Sequence, residues 1–178
     1  MIYISIYYNM KFPIRYLPPS LTKTQKKRQA QFLQKSRKAY KKGIYYIRNQ
    51  GPNRIKTYNT LGQKSKHLRT VKQVYRIDGP IRIDQELMRK TGCSKKALEK
   101  IVNKGEGAYY SSGSRPNQTA QSWGYARLAS AITGQKAAVV DYSIIDEGCD
   151  HKGPAYRFAK QAIKKFHKTL RHSPKVKI

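Results

Sequence analysis

GEGAYYSSGSRPNQTAQSWGYARLASAITG, residues 105–134, sets the pattern for the rest of the chain. It holds the single tryptophan and three of the fourteen tyrosines. A Gly/Ser-rich loop runs straight into a short amphipathic segment. Thr119 is the kind of residue that accepts a hydrogen bond from a free N–H of a helix's first turn, so the pattern predicts a helix over 120–133 ended by Gly134. Trp123, Leu128, Ala131 and Ile132 are its predicted buried positions, and Gly124, Ala126, Ala129 and Ser130 are small enough to admit a close neighbour. Working upstream, Ser94 caps a predicted helix over 95–103 that stops at Gly105, and Asp84 caps one over 85–90 that stops at Gly92. Leu87, Ala97, Leu98, Ile101 and Val102 form the inner face. Working downstream, a helical piece lies within 137–147. Gly153-Pro154 then starts a basic amphipathic helix over 155–170, with Phe158, Ala162, Ile163 and Phe166 on one side. The fold class is therefore mainly α: a small helical core with a long basic extended N-terminal arm and a basic C-terminal helix and tail.

The charge divides the chain in the same places. Residues 1–77 hold 19 Lys+Arg and no acid, residues 78–150 hold 10 against all 9 acids, and residues 151–178 hold 9 and no acid. The expected organisation is a basic arm over 1–77, a near-neutral helical core over 78–150 and a basic helix and tail over 151–178. Segments of one charge sign repel themselves and call for an acidic partner. Nucleic acid, an anionic membrane face and acidic neighbouring proteins all qualify.

Within the arm, Ile2, Ile4 and Ile6 alternate with Tyr3, Ser5 and Tyr7, the period of a strand. Such a strand suits addition to a partner's sheet. Prolines 13, 18 and 19 enforce extended chain. Ser20 caps a predicted helix over 21–42 that ends at Gly43. Phe32 and Leu33 are nearly its only large apolar residues before Tyr40, so this helix is read as docking on a partner. Ile44, Tyr45, Tyr46 and Ile47 are a strand candidate, and 67–76 is left open between helix and strand. Two cysteines, Cys93 and Cys149, are too few for a secreted disulfide scaffold, and reduced thiols in an intracellular setting are the default expectation. No apolar run approaches the roughly 18 residues of a membrane span. The first ten residues lack the basic stretch of a signal peptide.

The run Lys90-Thr91-Gly92-Cys93-Ser94, Ala97-Leu98, Lys104-Gly105, the unbroken stretch Gly107 to Thr119, Ser122-Trp123 and Tyr125-Ala126-Arg127-Leu128-Ala129-Ser130 resembles a domain of unknown function of the DUF5824 type. That domain occurs in large nucleocytoplasmic DNA viruses of algae and protists. The resemblance covers about residues 83–149 and brings no activity with it. It implies viral origin and a setting in the virion or the virus factory of the host cytoplasm.

Three stretches are candidate sites. Ser111, Ser112, Ser114, Arg115, Asn117, Gln118 and Thr119 precede a helix N-terminus and can hold an anion or a partner. The competing reading, a structural loop that caps the helix, is the commoner use of such residues. The helices around Thr91-Gly92-Cys93-Ser94 have the outline of a helix-turn-helix, with Lys95, Lys96 and Lys100 towards DNA, but Glu99 among them repels phosphate. Tyr40, Tyr45, Tyr46 and Tyr58 stand among lysines and arginines. They suit either base stacking or protein contact. Cys149, His151 and His167 match no zinc spacing, and no nucleophile elbow, HExxH or GxGxxG pattern occurs. Asp141, Asp146, Glu147 and Asp150 read as offsets to nearby positive charge.

These observations favour a non-enzymatic protein without cofactor or metal. The first expectation is a structural virion protein, a minor capsid component stapling neighbouring capsid proteins through Ile2, Ile4, Ile6, Tyr7, Phe32, Leu33, Tyr40, Tyr45 and Tyr46. An acidic inner-membrane face is a further possible contact. The alternative is a basic nucleic-acid-binding protein that packages or organises a viral genome.

Overall fold

The computed structural model describes residues 11–46, 65–111, 119–166 and 175–177. Strand β1 (Lys11–Pro13) leads through a 3₁₀ turn (Ile14–Tyr16) to α1 (Lys23–Tyr40). Helices α2 (Lys66–Tyr75), α3 (Gln85–Thr91), α4 (Lys95–Ser111), α5 (Ala120–Ile132), α6 (Lys136–Val140), α7 (Tyr142–Gly148) and α8 (Pro154–Phe166) follow, and β2 (Lys175–Lys177) comes last. The mainly helical architecture read from the sequence is the one observed. The open question over 67–76 resolves to helix, in α2.

The chain divides into two compact units. The first comprises Met1–Leu61, Ala108–Gln118 and Arg171–Ile178; the second comprises Gly62–Gly107 and Thr119–Leu170. In the first, β1 and β2 pair antiparallel, with Lys11 opposite Lys177, Phe12 opposite Val176 and Pro13 opposite Lys175. Helix α1 starts two residues later than predicted because Thr22, not Ser20, is its cap. The Thr22 hydroxyl accepts from the Gln25 N–H, while the Gln25 side chain accepts from the Thr22 N–H. Each bond satisfies a donor that the helix leaves open. Phe12, Tyr16, Leu17, Leu21, Ala30, Phe32 and Leu33 are buried. The Arg37 guanidinium lies over the Phe12 ring, 5.1 Å from its centre.

The second unit is a helical bundle. Leu98, Ile101, Leu128 and Ile132 are completely buried, each contributing about 1.5–3 kcal/mol relative to exposure. All five residues predicted for the inner face around α3 and α4 are in this core, and so are Leu128, Ala131 and Ile132. The core extends upstream of Ile77 to include Val71 and Tyr75 on α2. The Tyr75 hydroxyl donates to the Ile132 carbonyl at 2.5 Å. Trp123 departs from expectation: it is only half-buried, and the centre is aliphatic.

The largest departure is α4. Its predicted stop at Gly105 does not occur, and the helix continues to Ser111. Gly105 serves a close crossing with α5 instead. A Cβ on Gly105 would stand 2.7 Å from the Gly124 Cα, and one on Gly124 would stand 2.8 Å from the Val102 carbonyl oxygen. Only glycine lets the two backbones come this near. Gly92, in contrast, ends α3 as predicted, with φ +75°.

The cysteines also correct the expectation of free thiols: Cys93 and Cys149 form a disulfide. The backbone brings them together. Ser94 N–H donates to the Gly148 carbonyl at 2.8 Å and Asp150 N–H to the Gly92 carbonyl at 2.7 Å, a short antiparallel bridge between segments far apart in sequence. Spacing along the chain gives no sign of that bridge.

Candidate nucleic-acid interface

The first unit contains no Asp or Glu. Fourteen lysines and arginines fall in Met1–Leu61, one in Ala108–Gln118 and three in Arg171–Ile178. All nine acids of the chain belong to the second unit. Three sequence segments, each free of acid, thus come together in one compact body of net charge +18. Reading the charge along the chain shows two basic arms. The folded chain divides the charge between two basic units, +18 on the first, where β1 and β2 pair, and +11 on the second, and the first is the one without an acid.

On this unit, the end of α1 builds an aromatic surface. The Gly43 N–H donates to the Tyr40 carbonyl at 3.0 Å and the Ile44 N–H to the Ala39 carbonyl at 3.0 Å. With Gly43 at φ +73°, this pair of bonds is the Schellman ending of a helix. The left-handed residue turns the chain back so that Tyr45 lies against Tyr40. Their ring centres are 6.2 Å apart with planes 25° apart. Tyr45 also stacks with Tyr110, at 4.8 Å and 20°. Tyr109 meets Tyr110 edge-on at 5.1 Å, and Tyr46 tilts against Phe32 at 5.8 Å. The Ser36 hydroxyl donates to the Tyr110 carbonyl at 3.0 Å, which ties α1 to the last turn of α4 within this unit.

Tyr45 is 62% exposed and Tyr40 36%, and Ile44 between them is 58% exposed. Lys38, Lys41 and Lys42 are exposed beside them. Arg37 is partly withdrawn: burial draws its guanidinium below the ordinary value, while Tyr16 pulls it the other way. Tyr45 stacks with both Tyr40 and Tyr110, and exposed lysines adjoin Tyr40 in sequence, so the surface combines aromatic rings with cations.

Some predicted site residues join this surface and others do not. Tyr40, Tyr45 and Tyr46 lie on or beside it, although 44–46 form no strand. Phe32 and Leu33 are buried inside the unit and are not offered to a partner. Ile2, Ile4, Ile6 and Tyr7 lie outside the described residues, as do Tyr58, Ser112, Ser114, Arg115, Asn117, Gln118 and His167. Ser111 closes α4. Thr119 caps α5, its hydroxyl accepting from the Ser122 N–H at 3.1 Å. Tyr110 is the residue that the sequence reading missed. With α4 stopped at Gly105, nothing placed it opposite Tyr45.

Of the four acids read as offsets to positive charge, Asp141 and Glu147 meet cationic side chains, Asp146 faces a histidine, and Asp150 meets a backbone N–H instead. Asp141, completely buried, accepts from Arg127 Nε and Nη2 at 2.7 Å each and pairs with Lys104 Nζ at 2.8 Å. Glu147 pairs with Lys100 at 3.6 Å, and Asp146 faces His151 at 3.5 Å. The Asp150 carboxylate accepts from the Lys152 N–H at 2.9 Å. The His151 ring stacks on Tyr156 at 4.2 Å. The Tyr142 hydroxyl, bonded to that of Tyr156, is pushed up to about 12 by this bond, with burial adding to it. Among the described residues, no three His, Cys, Asp or Glu side chains gather to hold a metal ion. An open groove of about 540 Å³ is lined by Arg82 and Lys95 but also by Glu99 and Glu106, so it presents no single charge. Lys95, Lys96 and Lys100 are exposed on α4, and Glu99 is exposed among them, paired with Lys95 at 3.8 Å. The objection to DNA reading by α3 and α4 therefore stands.

Residues 13–147 match the DUF5824 family, a family of unknown function. The chain belongs to this family. No curated protein and no solved structure matches it. The matched stretch takes in α1, the Tyr40–Tyr45 turn and Tyr110, so the aromatic surface falls within the family's domain. Among the described residues, no helix is long and apolar enough to cross a membrane.

Proposed function

We propose that this protein is a non-enzymatic nucleic-acid-binding protein that works through its acid-free unit. One observation carries the reading. A compact unit of net charge +18 with no acid of its own is under self-repulsion that only an external anion relieves, and a polyphosphate backbone supplies many charges at the right density. The viral setting, a virion or a virus factory in the host cytoplasm, is taken from the family resemblance and is part of the proposal. Genome packaging or organisation is the role that fits it.

The test is fluorescence anisotropy with a labelled 20-base-pair duplex and a 20-nucleotide single strand across a salt series. Binding falls with salt, because each phosphate contact releases a counterion and contributes about −0.9 to the slope of log K against log salt for duplex. A protein that binds neither at low salt overturns the reading.

A second reading is supported by Ile14 and Ile44, large apolar side chains exposed on the same unit. It is a structural protein of the virion, a minor capsid component that staples capsid neighbours. Mass spectrometry of purified particles, combined with limited proteolysis, separates the two. Protection of residues 1–77 in intact shells favours the staple; release with the genome by salt favours nucleic-acid binding.

A further inference from the structure

We infer that the Tyr40–Tyr45–Tyr110 surface is a stacking platform for the bases of an unpaired polynucleotide, so that the protein prefers single strands to duplex. This rests on the nucleic-acid reading above and names the form of its ligand.

A duplex presents phosphates outward and keeps its base faces stacked on each other, so lysines alone serve it. Exposed aromatic faces add nothing to duplex affinity. They add much to an unpaired strand, whose bases have free π-faces and stack on aromatic side chains whatever their sequence. Here three tyrosine rings lie within 25° of parallel between neighbours. The central one, Tyr45, is 62% exposed although it stacks on two others. A tyrosine kept that open in the free protein is presented at little entropic cost, since its ring is already held by its neighbours.

Lys38, Lys41 and Lys42 are exposed and adjoin Tyr40 in sequence at the end of α1, and the unit contains no acid to oppose a phosphate. A protein partner seated on this patch would have to bring acids to meet these lysines and an apolar face to meet the rings. An unpaired strand carries both features in every nucleotide, as phosphate and base. The Schellman turn at Gly43 sets the geometry, because it brings the rings at 40 and 45 to the same side of the chain.

The test uses the full chain with labelled oligo(dT) and oligo(U) 20-mers, a 20-base-pair duplex, and heparin as a polyanion without bases. The wild type binds the single strands more tightly than the duplex. Tyr45→Leu weakens single-strand binding about tenfold or more, the effect of losing one stacked base, and leaves duplex binding within about twofold. Tyr45→Phe, which keeps the π-face, binds like the wild type, and Tyr40→Leu repeats the loss. Should Tyr45→Leu prove poorly folded by circular dichroism, Tyr40→Leu and quenching of tyrosine fluorescence by the oligonucleotides carry the test. Equal affinity for single strand and duplex, with Tyr45→Leu changing neither, overturns the platform but leaves nucleic-acid binding standing. Heparin displacing the single strand as effectively as oligo(dT) itself also overturns the platform. Binding to none of the oligonucleotides overturns the underlying reading as well.

Discussion

Asp141→Ala tests whether the second unit depends on its one buried carboxylate. Asp141 sits at the junction of α6 and α7 and is 0% exposed. Arg127 on α5 grips both of its oxygens, and Lys104 on α4 reaches one of them. One side chain thus ties together four helices. Removing it leaves the Arg127 guanidinium, 18% exposed, without its counter-charge. Breaking one side of a buried ion pair costs about 3–5 kcal/mol. In urea, at an m-value of about 2 kcal/mol per molar, this lowers the unfolding midpoint by on the order of 2 M, read by circular dichroism at 222 nm. The pair itself need not stabilise the fold. Desolvation offsets its attraction, so Arg127→Met combined with Asp141→Leu should recover most of the loss. Lys104→Met should cost about 1 kcal/mol or less, because Lys104 is 44% exposed and its charge is screened. A loss under about 1 kcal/mol for Asp141→Ala, or a double variant as unstable as the single one, would refute the reasoning.

Three further outcomes follow from the same geometry. The disulfide closes a loop with a sequence separation of 56, so a Cys93→Ser, Cys149→Ser variant should lose about 4 kcal/mol by restoring chain entropy to the unfolded state; an unchanged urea midpoint with and without reductant would sink this. Tyr75 is held neutral by burial, which raises its pKa. A raised pKa contributes stability that is complete below the unfolded value of about 10 and lost above it, so stability should fall from about pH 10 upward by up to about 1.4 kcal/mol per pH unit. Tyr75→Phe should remove that component of the alkaline slope. Gly43→Ala meets no atom within 4 Å but must take φ +73°, at a cost of about 1–2 kcal/mol. Gly79→Ala, equally unobstructed and without the positive φ, is the control in a thermal melt.

How much of this was legible in the sequence depends on the range of each signal. Caps are local, and Asp84 and Thr119 start their helices where they were read because each hydroxyl or carboxylate finds an N–H three residues on. Thr22 displaced Ser20 because Gln25 completes a reciprocal pair with it. Gly105 was misread since a glycine that stops a helix and a glycine that admits a neighbouring helix are the same letter. Only Gly124, nineteen positions on, decides between them. That error hid Tyr110 and with it the third ring of the aromatic surface, while Tyr40 and Tyr45 were visible as tyrosines among lysines. The disulfide was invisible for a related reason: its cysteines meet through a backbone bridge between Gly92–Ser94 and Gly148–Asp150 that no periodicity announces.

The pairing of β1 with β2 bears on how the protein is made. Everything from Ile14 to Pro174 must leave the ribosome before Phe12 can find Val176. The second unit runs to Leu170 and packs α8 (Pro154–Phe166), so it too is completed only shortly before β2 emerges. Closing so long a loop adds an entropic barrier that short-range helices do not face, so the two-stranded ribbon is the last part of its unit to form. A nascent or truncated chain that stops short of Lys175 holds β1 as an unpaired edge, open to the same strand of a second molecule. Such chains should associate where the longer chain does not, and light scattering of a protein ending at Arg171 would show it.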